Sequence, residues 1–276
     1  MSEYRTIITP PSGFPSINFG ELWHYRDLVF MLIKRDVWGK YRQSVLGFTW
    51  AFVPPLAQMI VFTVVFGEMG KMGPDGDTPY YLFSFAALLP WNYFNRAMTT
   101  SGNSLIASKG LISKVYFPRL VLPLTGVIGS LIDFAIGFVV LIALFLISGV
   151  FPSIRILTLP LFLLLAFITA LAISLWLTAL SVKYRDVAFI IPFALQIWMF
   201  LTPIVFSLDK VPERFLVYAW LNPMTGVVEG FRWSLISTYA APNWQYMGIS
   251  LGIMIVVLVT GLYYFRHTED TFADII

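Results

Sequence analysis

Residues 121–148 read VLPLTGVIGSLIDFAIGFVVLIALFLIS, an almost unbroken apolar run that contains a single charged residue, Asp133. A helix that crosses the hydrocarbon core of a bilayer needs about 20 consecutive, predominantly apolar residues, and this run exceeds that length. Such a run is unusually long and apolar for a helix in a soluble domain. The stretch therefore predicts a transmembrane helix and places the chain among integral membrane proteins.

Stretches of similar character recur on both sides of this run and predict a polytopic protein. The predicted spans cover residues 48–67, 80–104, 121–148, 156–180, 188–206 and 247–265. The composition agrees, because 58% of the 276 residues are hydrophobic and only 12% are charged, whereas soluble domains carry about 25% charged residues. We expect an all-α integral membrane fold in which one transmembrane domain occupies residues 1–276 and contains six transmembrane helices.

Lys and Arg are distributed unevenly between the two sets of connecting segments. With the N-terminus in the cytoplasm, the basic residues of the outer segments are Lys71, Arg155, Lys210, Arg214 and Arg232. Most of the other Lys and Arg residues then fall in cytoplasmic segments, which matches the excess of positive charge that inner loops carry. This bias predicts that both termini are cytoplasmic.

The segments outside the spans complete the predicted organisation. The expected order is a cytoplasmic tail with an interface helix (1–47), spans one to five (48–206), an outer re-entrant region (207–246), span six (247–265) and a cytoplasmic tail (266–276). From about Glu21 to Tyr41, polar and apolar residues occupy opposite faces at helical spacing, which is typical of a helix lying in the membrane interface. Whether this helix only anchors the chain to anionic lipid or also docks on a partner stays open.

The stretch 207–246 contains two apolar runs, Phe215–Leu221 and Met224–Ile236, that are each too short to cross a bilayer. Asn222 and Pro223 interrupt the helical pattern between them. Two short helices that dip into the outer leaflet fit this pattern, because backbone at that depth is tolerated against protein or a water-filled cavity. A helical cap lying flat on the membrane is the alternative.

Polar residues inside the spans are candidates for function. Asn92, Asn95 and Arg96 make the inner half of the second span polar, so this half either lines an aqueous inlet from the cytoplasm or lies beyond the membrane. Asp133 sits near the middle of the third span, where a charge is costly. It is either a proton or ion site or a packing hydrogen bond. The second is favoured because no basic partner is evident in a neighbouring span.

Absent residue types exclude several chemistries. The chain has no cysteine and only two histidines, His24 and His267, which are far apart, so disulfides, thiol catalysis and a histidine-rich metal site are excluded. No P-loop motif is present to cradle ATP phosphates, and no catalytic triad or paired carboxylates stand out. We therefore expect a transport protein that is not an enzyme, that binds no metal or cofactor itself, and that has no nucleic-acid partner.

Motifs along most of the chain have a familiar order and spacing. They are LIKRDVWGKYRQSVLGFTW (32–50), LPWNYF (89–94) continuing to NSL (103–105), LISKVYFPR (111–119), YRDV (184–187), TPI (202–204), NPM (222–224) and EGFR (229–232). In these motifs the chain resembles the membrane subunits of type-2 ABC exporters, specifically those that export O-antigen, teichoic acid or capsule polysaccharides. The one departure is Ser113, where the family often has a second basic residue.

The resemblance implies an assembly in a bacterial cytoplasmic (inner) membrane. Two copies of this subunit would join two copies of a separate ATPase, which binds ATP and Mg. The assembly, surrounded by membrane lipids, would export a lipid-linked glycan, most readily O-antigen. A short helix at about 108–117 would dock on the ATPase together with the N-terminal helix. The residues expected to couple to the ATPase are Lys34, Arg35, Ser108, Lys109, Leu111, Ile112, Lys114 and Tyr116.

The resemblance also places the first and fifth spans beside the channel at the dimer axis. Aromatic rings there could present their faces to passing sugars, although packing or lipid contact is the commoner use of such rings. The predicted substrate pathway consists of Phe62, Phe66, Asn92, Asn95, Arg96, Trp198 and Phe200, and the predicted outer re-entrant set of Asn222, Pro223, Glu229 and Arg232. The alternatives are an ABC permease for a smaller lipid or drug and, less favoured, a membrane-embedded transferase acting on lipid-linked sugars.

Overall fold

The computed structural model describes residues 19–41, 52–73, 78–269 and 271–272. Its helices are α1 (Phe19–His24), α2 (Arg26–Tyr41), α3 (Val53–Phe62), α4 (Tyr80–Gly102), α5 (Ser104–Ala107), α6 (Lys109–Ile112), α7 (Val121–Ser148), α8 (Leu159–Lys183), α9 (Val187–Leu201), α10 (Glu213–Trp220), α11 (Pro223–Leu235) and α12 (Trp244–Glu269). A π-helical segment continues α3, and a 3₁₀ turn precedes α8. No strand occurs in these four ranges, so the predicted all-α fold is confirmed.

The predicted spans correspond to helices of the structure. The helices α7, α12 and the segment Ile154–Lys183 are long and apolar enough to cross a membrane, and α7 has the predicted bounds. The helix α4 matches the second span, while α3 with its π-helical continuation and α9 are shorter apolar helices. The predicted start of the first span at residue 48 lies outside the described residues. The count of six spans stays a prediction.

Two helices in the last third of the chain differ in length from the predicted spans. The fifth span was expected to reach residue 206, but α9 ends at Leu201 because Pro203 disfavours a helical conformation at the residue before it. Thr202 accordingly has an extended backbone, with φ −96° and ψ 139°. The last helix is longer than 247–265. The side chain of Asn243 accepts from the amide of Gln245 at 3.0 Å beside its first turn, and polar residues continue the helix to Glu269.

The two predicted helices on the presumed docking side also differ from the structure. The amphipathic segment is divided at Tyr25, whose amide donates to the Leu22 carbonyl three residues back, so α1 and α2 are separate helices. The helix expected at about 108–117 is much shorter, because α6 ends at Ile112. Pro118 has no amide hydrogen and disfavours a helical conformation at the residue before it, so the helix cannot readily continue through residues 117 and 118.

The helix α4 is the centre of the molecule. Every residue from Leu82 to Trp91 is buried, and α3, α7, α8, α9 and α11 pack around the helix. Pro90 lies inside α4 without ending it. The close approach of α7 depends on Gly126, since a Cβ atom there would lie only 2.9 Å from the backbone nitrogen of Ser101. This packing fixes the relative position of α4 and α7, which carry the polar residues described next.

Candidate functional site

One face of α4 is polar over its second half. Asn92, Arg96, Thr100 and Asn103 follow one another at intervals of four, four and three residues, so they lie on the same side of the helix. Arg96 is exposed and the other three side chains are half-buried. This face points towards α7 and α2, whereas the remaining faces of α4 are packed against apolar helices. The polar residues predicted in the inner half of the second span therefore form a continuous polar stripe along one side of α4.

Arg96 and Asp133 form an ion pair between α4 and α7. The Nε atom of Arg96 lies 3.4 Å from the Oδ2 atom of Asp133, and the two side chains are 45% and 28% exposed. The expectation that Asp133 lacks a basic partner is therefore wrong. The partner is a residue that the sequence assigned to the substrate pathway. Opposite charges in neighbouring spans are how membrane proteins accommodate ionisable groups, and such pairs mark polar pathways.

Three cavities adjoin one another along this stripe, and together we call them the polar groove. The first, of about 270 Å³, reaches α3 and is lined by residues that include Gln58, Asn92, Arg96 and Asp133. The second, of about 40 Å³, shares Arg96 and Asp133 with the first. The third, of about 240 Å³, shares Thr100 with the second and extends to α5. The groove thus runs from the middle of α7 to the α5 end of the molecule.

A second polar centre lies at the opposite end, where Arg232 of α11 is completely buried. Its guanidinium donates to the carbonyl oxygens of Pro203 at 2.6 Å, Ile204 at 2.7 Å and Phe206 at 3.3 Å. It also stacks over the ring of Phe83 in α4, with 3.6 Å between Cζ and the ring centroid. Arg232 therefore joins α11 both to α4 and to the segment that follows α9.

Glu229 balances the charge of Arg232. Its Oε1 atom lies 3.2 Å from Nη1 of Arg232, and the Tyr239 hydroxyl donates to the same carboxylate at 3.0 and 3.1 Å. Burial raises the pKa of the Tyr239 hydroxyl, so this group stays protonated and acts as a donor. We call Glu229, Arg232 and Tyr239 the arginine clamp. No sequence pattern identified Tyr239, because a lone tyrosine between two helices has many uses.

The remaining residues of the predicted re-entrant set organise the start of α11. The Asn222 side chain accepts a hydrogen bond from the Met224 amide at 3.0 Å, and Pro223 occupies the first helical position, where a missing amide hydrogen costs nothing. The Asn222 amide also donates to the Thr202 hydroxyl at 2.8 Å. The predicted pair of short helices is confirmed as α10 and α11. Their insertion into a leaflet stays a prediction.

The residues assigned to ATPase coupling fall into two groups. Ser108 is buried, and Leu111 and Ile112 are half-buried against a core cluster of the chain itself. The exposed members are Lys34, Arg35, Lys109, Lys114 and Tyr116. The Tyr25 hydroxyl donates to the Tyr116 carbonyl at 3.4 Å, which places the start of α2 beside the loop after α6. The two predicted docking segments are therefore neighbours and form one surface.

The exposed side of α2 carries large apolar side chains among its charged residues, which the predicted amphipathic pattern did not include. Phe30, Met31 and Trp38 are 67%, 67% and 59% exposed, while Leu32 on the other side is buried. The Lys34 ammonium lies 6.0 Å from the centre of the Trp38 ring. The helix thus has one face on the bundle and an exposed face of mixed apolar and basic residues, which suits contact with lipid or with a partner.

The aromatic residues of the predicted pathway do not converge on one cavity. Phe62 is buried and meets Phe66 edge to face at 5.5 Å between ring centroids, and Trp198 packs against Phe94 of α4 at 5.3 Å. Asn95 is half-buried, and Phe200 alone among the aromatic members is exposed, at 51%. Packing therefore accounts for most of these rings within one protomer.

These features define a class of protein: an all-helical, multi-pass membrane protein with a polar groove between its helices. Residues 27–236 match the ABC-2 type transporter family. Since this match covers more than half of the chain, the chain belongs to that family and is a transport subunit.

Relatives align with nearly the whole chain. It is 27% identical over 257 residues to the O-antigen export system permease protein RfbA of Myxococcus xanthus, an alignment that covers 92% of this chain and 97% of that protein. It is 27% identical over 260 residues to RfbA of Klebsiella pneumoniae, covering 94% and 97%. It is 26% identical over 254 residues to the polysialic acid transport protein KpsM of Escherichia coli, covering 88% and 93%.

Proposed function

We propose that this chain is the channel-forming permease of an ATP-driven exporter that moves a lipid-linked polysaccharide, most readily O-antigen, across the bacterial cytoplasmic membrane. The observation that carries the proposal is the alignment over nearly the full length with permeases named for O-antigen export and polysialic acid transport. The polar groove supports it, because a path for hydrophilic groups is needed in a protein whose spans are otherwise apolar.

The energy for transport is supplied by a separate ATPase subunit, which binds ATP and Mg. The surface formed by α2 and the loop after α6 is suited to dock that subunit, since it presents Lys34, Arg35, Lys114 and Tyr116 to solvent. Leu111 and Ile112 contribute by supporting the loop from inside. In this arrangement the docking surface and both termini are cytoplasmic.

A second copy of the chain completes the channel. The helix α9 exposes a row of apolar side chains, among them Phe189 at 80%, Phe193 at 65% and Phe200 at 51% exposure. The helix α3 exposes Ile60 and Val61 in the same way. Exposed apolar faces on the first and fifth spans are what a dimer through these helices requires, and the lipid covers what the partner does not.

Deletion and complementation test the proposed function. In a host that makes the glycan, removal of this chain should abolish surface polysaccharide and leave lipid-linked glycan in the cytoplasmic leaflet. The wild-type chain with its ATPase should restore the surface polymer. A matched control is the same chain with an ATPase whose P-loop lysine is replaced, which should assemble without exporting. Surface polymer that persists without the chain, or a defect confined to a small lipid, would refute polysaccharide export.

Reporter fusions test the proposed topology. Fusions after Gly73 and Pro242 should report the outer side, whereas fusions after Lys114 and Arg185 should report the cytoplasm, as the distribution of basic residues predicts. An outer-side signal at Lys114 would exclude the docking surface described above, since an ATPase cannot reach it there.

A further inference from the structure

The polar groove has the lining of a wet site. Its first cavity, of about 270 Å³, is many times larger than the roughly 10–15 Å³ that one water requires. Gln58, Asn92 and the Arg96–Asp133 pair supply polar partners, whereas a cavity that stays empty is lined by apolar groups. The half-exposed ion pair also needs solvation. The groove is therefore suited to hold water inside the membrane.

The groove reaches far into the bundle from the end of α7 that lies near α2. Asp133 is twelve residues beyond Val121, which corresponds to about 18 Å along the α7 axis at about 1.5 Å per residue. The third cavity lies at the near end, where Asn103, Ser104 and Ser108 line it. The shared residues Arg96 and Thr100 connect the successive cavities, so a polar group can follow one lining from end to end.

The charges that line the groove are balanced. Arg96 pairs with Asp133, and Arg35 pairs with Asp36 at 2.9 Å. The other polar groups along the lining are amides and hydroxyls, so it offers donors and acceptors without an excess of either charge. A phosphate group is poorly matched to this lining, because the carboxylate beside each arginine would repel it. An uncharged ligand rich in hydroxyl groups is well matched.

The deepest cavity adds aromatic surface to this polar lining. Phe85, Tyr93 and Phe134 line it, and the rings of the last two meet edge to face at 6.1 Å. All three rings are almost fully buried, so they form a closely packed apolar wall. Such a wall beside amide and hydroxyl groups suits a sugar, which has apolar faces and a hydroxylated edge. The ligand chemistry that fits the groove is therefore carbohydrate.

We propose that the polar groove within each protomer is an aqueous binding site for the hydroxyl groups of the exported glycan, open on the cytoplasmic side beside α2. It lies between helices of one protomer and reaches α3, which borders the proposed path between the two protomers. This inference rests on the proposed export function, and it adds a site for the first sugars that approach from the cytoplasm. Arg96 and Asp133 lie between the first and second cavities and hold α4 and α7 in register around the site.

Single cysteines can test the groove, because the chain has no cysteine of its own. Asn92→Cys reports the deep cavity and Ser104→Cys the shallow one. Ile132→Cys is the matched control, since Ile132 neighbours Asp133 on α7, is 37% exposed and lines none of the three cavities. The charged reagent sulfonatoethyl methanethiosulfonate is added to inside-out vesicles that contain the whole exporter. It reacts with the hydrated thiolate and not with a thiol held in lipid.

Both groove cysteines should react at least about tenfold faster than Ile132→Cys. Adding Gly129→Leu should slow labelling of Asn92→Cys and leave Ser104→Cys unchanged. The added side chain would project into the narrow second cavity, and its Cβ atom meets nothing closer than Ile33 at 3.8 Å. If Asn92→Cys reacts no faster than Ile132→Cys, or if Gly129→Leu has no effect, the groove is not an aqueous path from the cytoplasm.

The ligand is tested by comparing vesicles from cells that make the lipid-linked glycan with vesicles from cells in which its synthesis is blocked. With the glycan present, labelling of Asn92→Cys should be slowed several-fold, while Ile132→Cys should be unaffected. Equal labelling with and without glycan would overturn the carbohydrate assignment. Surface polymer measured in the complemented deletion strain decides separately whether the chain exports glycan, so failure of the groove proposal and failure of the proposed function give different results.

Discussion

Replacing Arg232 with methionine tests the arginine clamp most directly. The substitution keeps a long, unbranched side chain but removes the charge and every hydrogen-bond donor. Five groups lose Arg232 as a partner: the carbonyls of Phe83, Pro203, Ile204 and Phe206 and the carboxylate of Glu229. Because Arg232 is fully buried, water cannot replace the lost donors without opening the packing between α4, α9 and α11.

The expected loss of stability is large. Breaking a buried ion pair by removing one partner costs about 3–5 kcal/mol, mainly because the other charge is left unpaired. The unsatisfied carbonyls add to this cost, although water that enters the relaxed structure recovers part of it. For chains of this size, about 1 kcal/mol shifts the melting temperature by about 2–4 °C. Arg232→Met should therefore lower the melting temperature by about 6–20 °C.

The assay is thermal unfolding of the purified protein in detergent, followed by intrinsic tryptophan fluorescence. Arg214→Met is the matched control, because Arg214 lies on the neighbouring helix α10 and is exposed, so its replacement should change the melting temperature by less than about 2 °C. The double variant Glu229→Gln with Arg232→Met removes the unpaired carboxylate as well. It should recover part of the loss but not all, since the Pro203 and Ile204 carbonyls still lack donors.

The reasoning would be refuted by an Arg232→Met protein that melts within about 2 °C of the wild type, because such a result means that water solvates the site. A double variant that is less stable than Arg232→Met would refute the assigned cause, since it would show that the unpaired carboxylate is not the main penalty. Arg232→Lys distinguishes charge from geometry. Lysine keeps the charge but has no planar fork, so it should restore the pair with Glu229 without restoring all the carbonyl contacts.

Three further predictions concern the docking surface, the helix packing and the aromatic residues. Tyr116→Asp should leave the melting temperature unchanged and reduce co-purification of the ATPase. Leu111→Asp should lower the melting temperature, because Leu111 packs on the core of the chain. Equal melting temperatures for the two variants would contradict the assigned burial. Gly126→Leu should destabilise the chain by about 1–3 kcal/mol by pushing α4 from α7, and an unchanged melt would disprove this close contact. Phe62→Ala should lower the free energy of unfolding by about 3–5 kcal/mol in thermal unfolding. Phe200→Ala should instead reduce surface polymer without changing the melting temperature. Export that is unaffected by Phe200→Ala would remove Phe200 from the pathway.

The helical elements were predictable because hydrophobic length and proline placement act locally. The bounds of α7 follow from one apolar run, and the division of α10 from α11 follows from Asn222 and Pro223. The fifth span was overextended because hydropathy continues past Leu201, although Pro203 had already supplied the stop signal. The sequence therefore contained the signal for the end of α9, but hydropathy alone did not identify it.

The candidate sites were less predictable because they depend on contacts between distant segments. Arg96 and Asp133 were both recognised as unusual residues, but pairing them requires the register of α4 against α7. Leu111 was expected to face a partner, and only the packing of α6 shows that it supports its own core. Tyr239 could not be assigned at all, since its role comes from a carboxylate on α11. Periodicity identifies the face of a helix and not the neighbour of that face.

The arginine clamp and the polar groove lie at opposite ends of α4, and this arrangement constrains how the subunit can move. Arg232 fastens the segment after α9 to α11 and to Phe83 of α4, so that segment cannot separate from α11 without exposing a buried cation. In the groove, the ion pair of Arg96 and Asp133 is partly exposed, at 45% and 28% of the two side chains. Breaking this partly exposed ion pair is therefore less costly than breaking the buried pair of Arg232 and Glu229 in the clamp. We therefore expect the polar side chains of the groove to rearrange when substrate enters, while the clamped end stays intact.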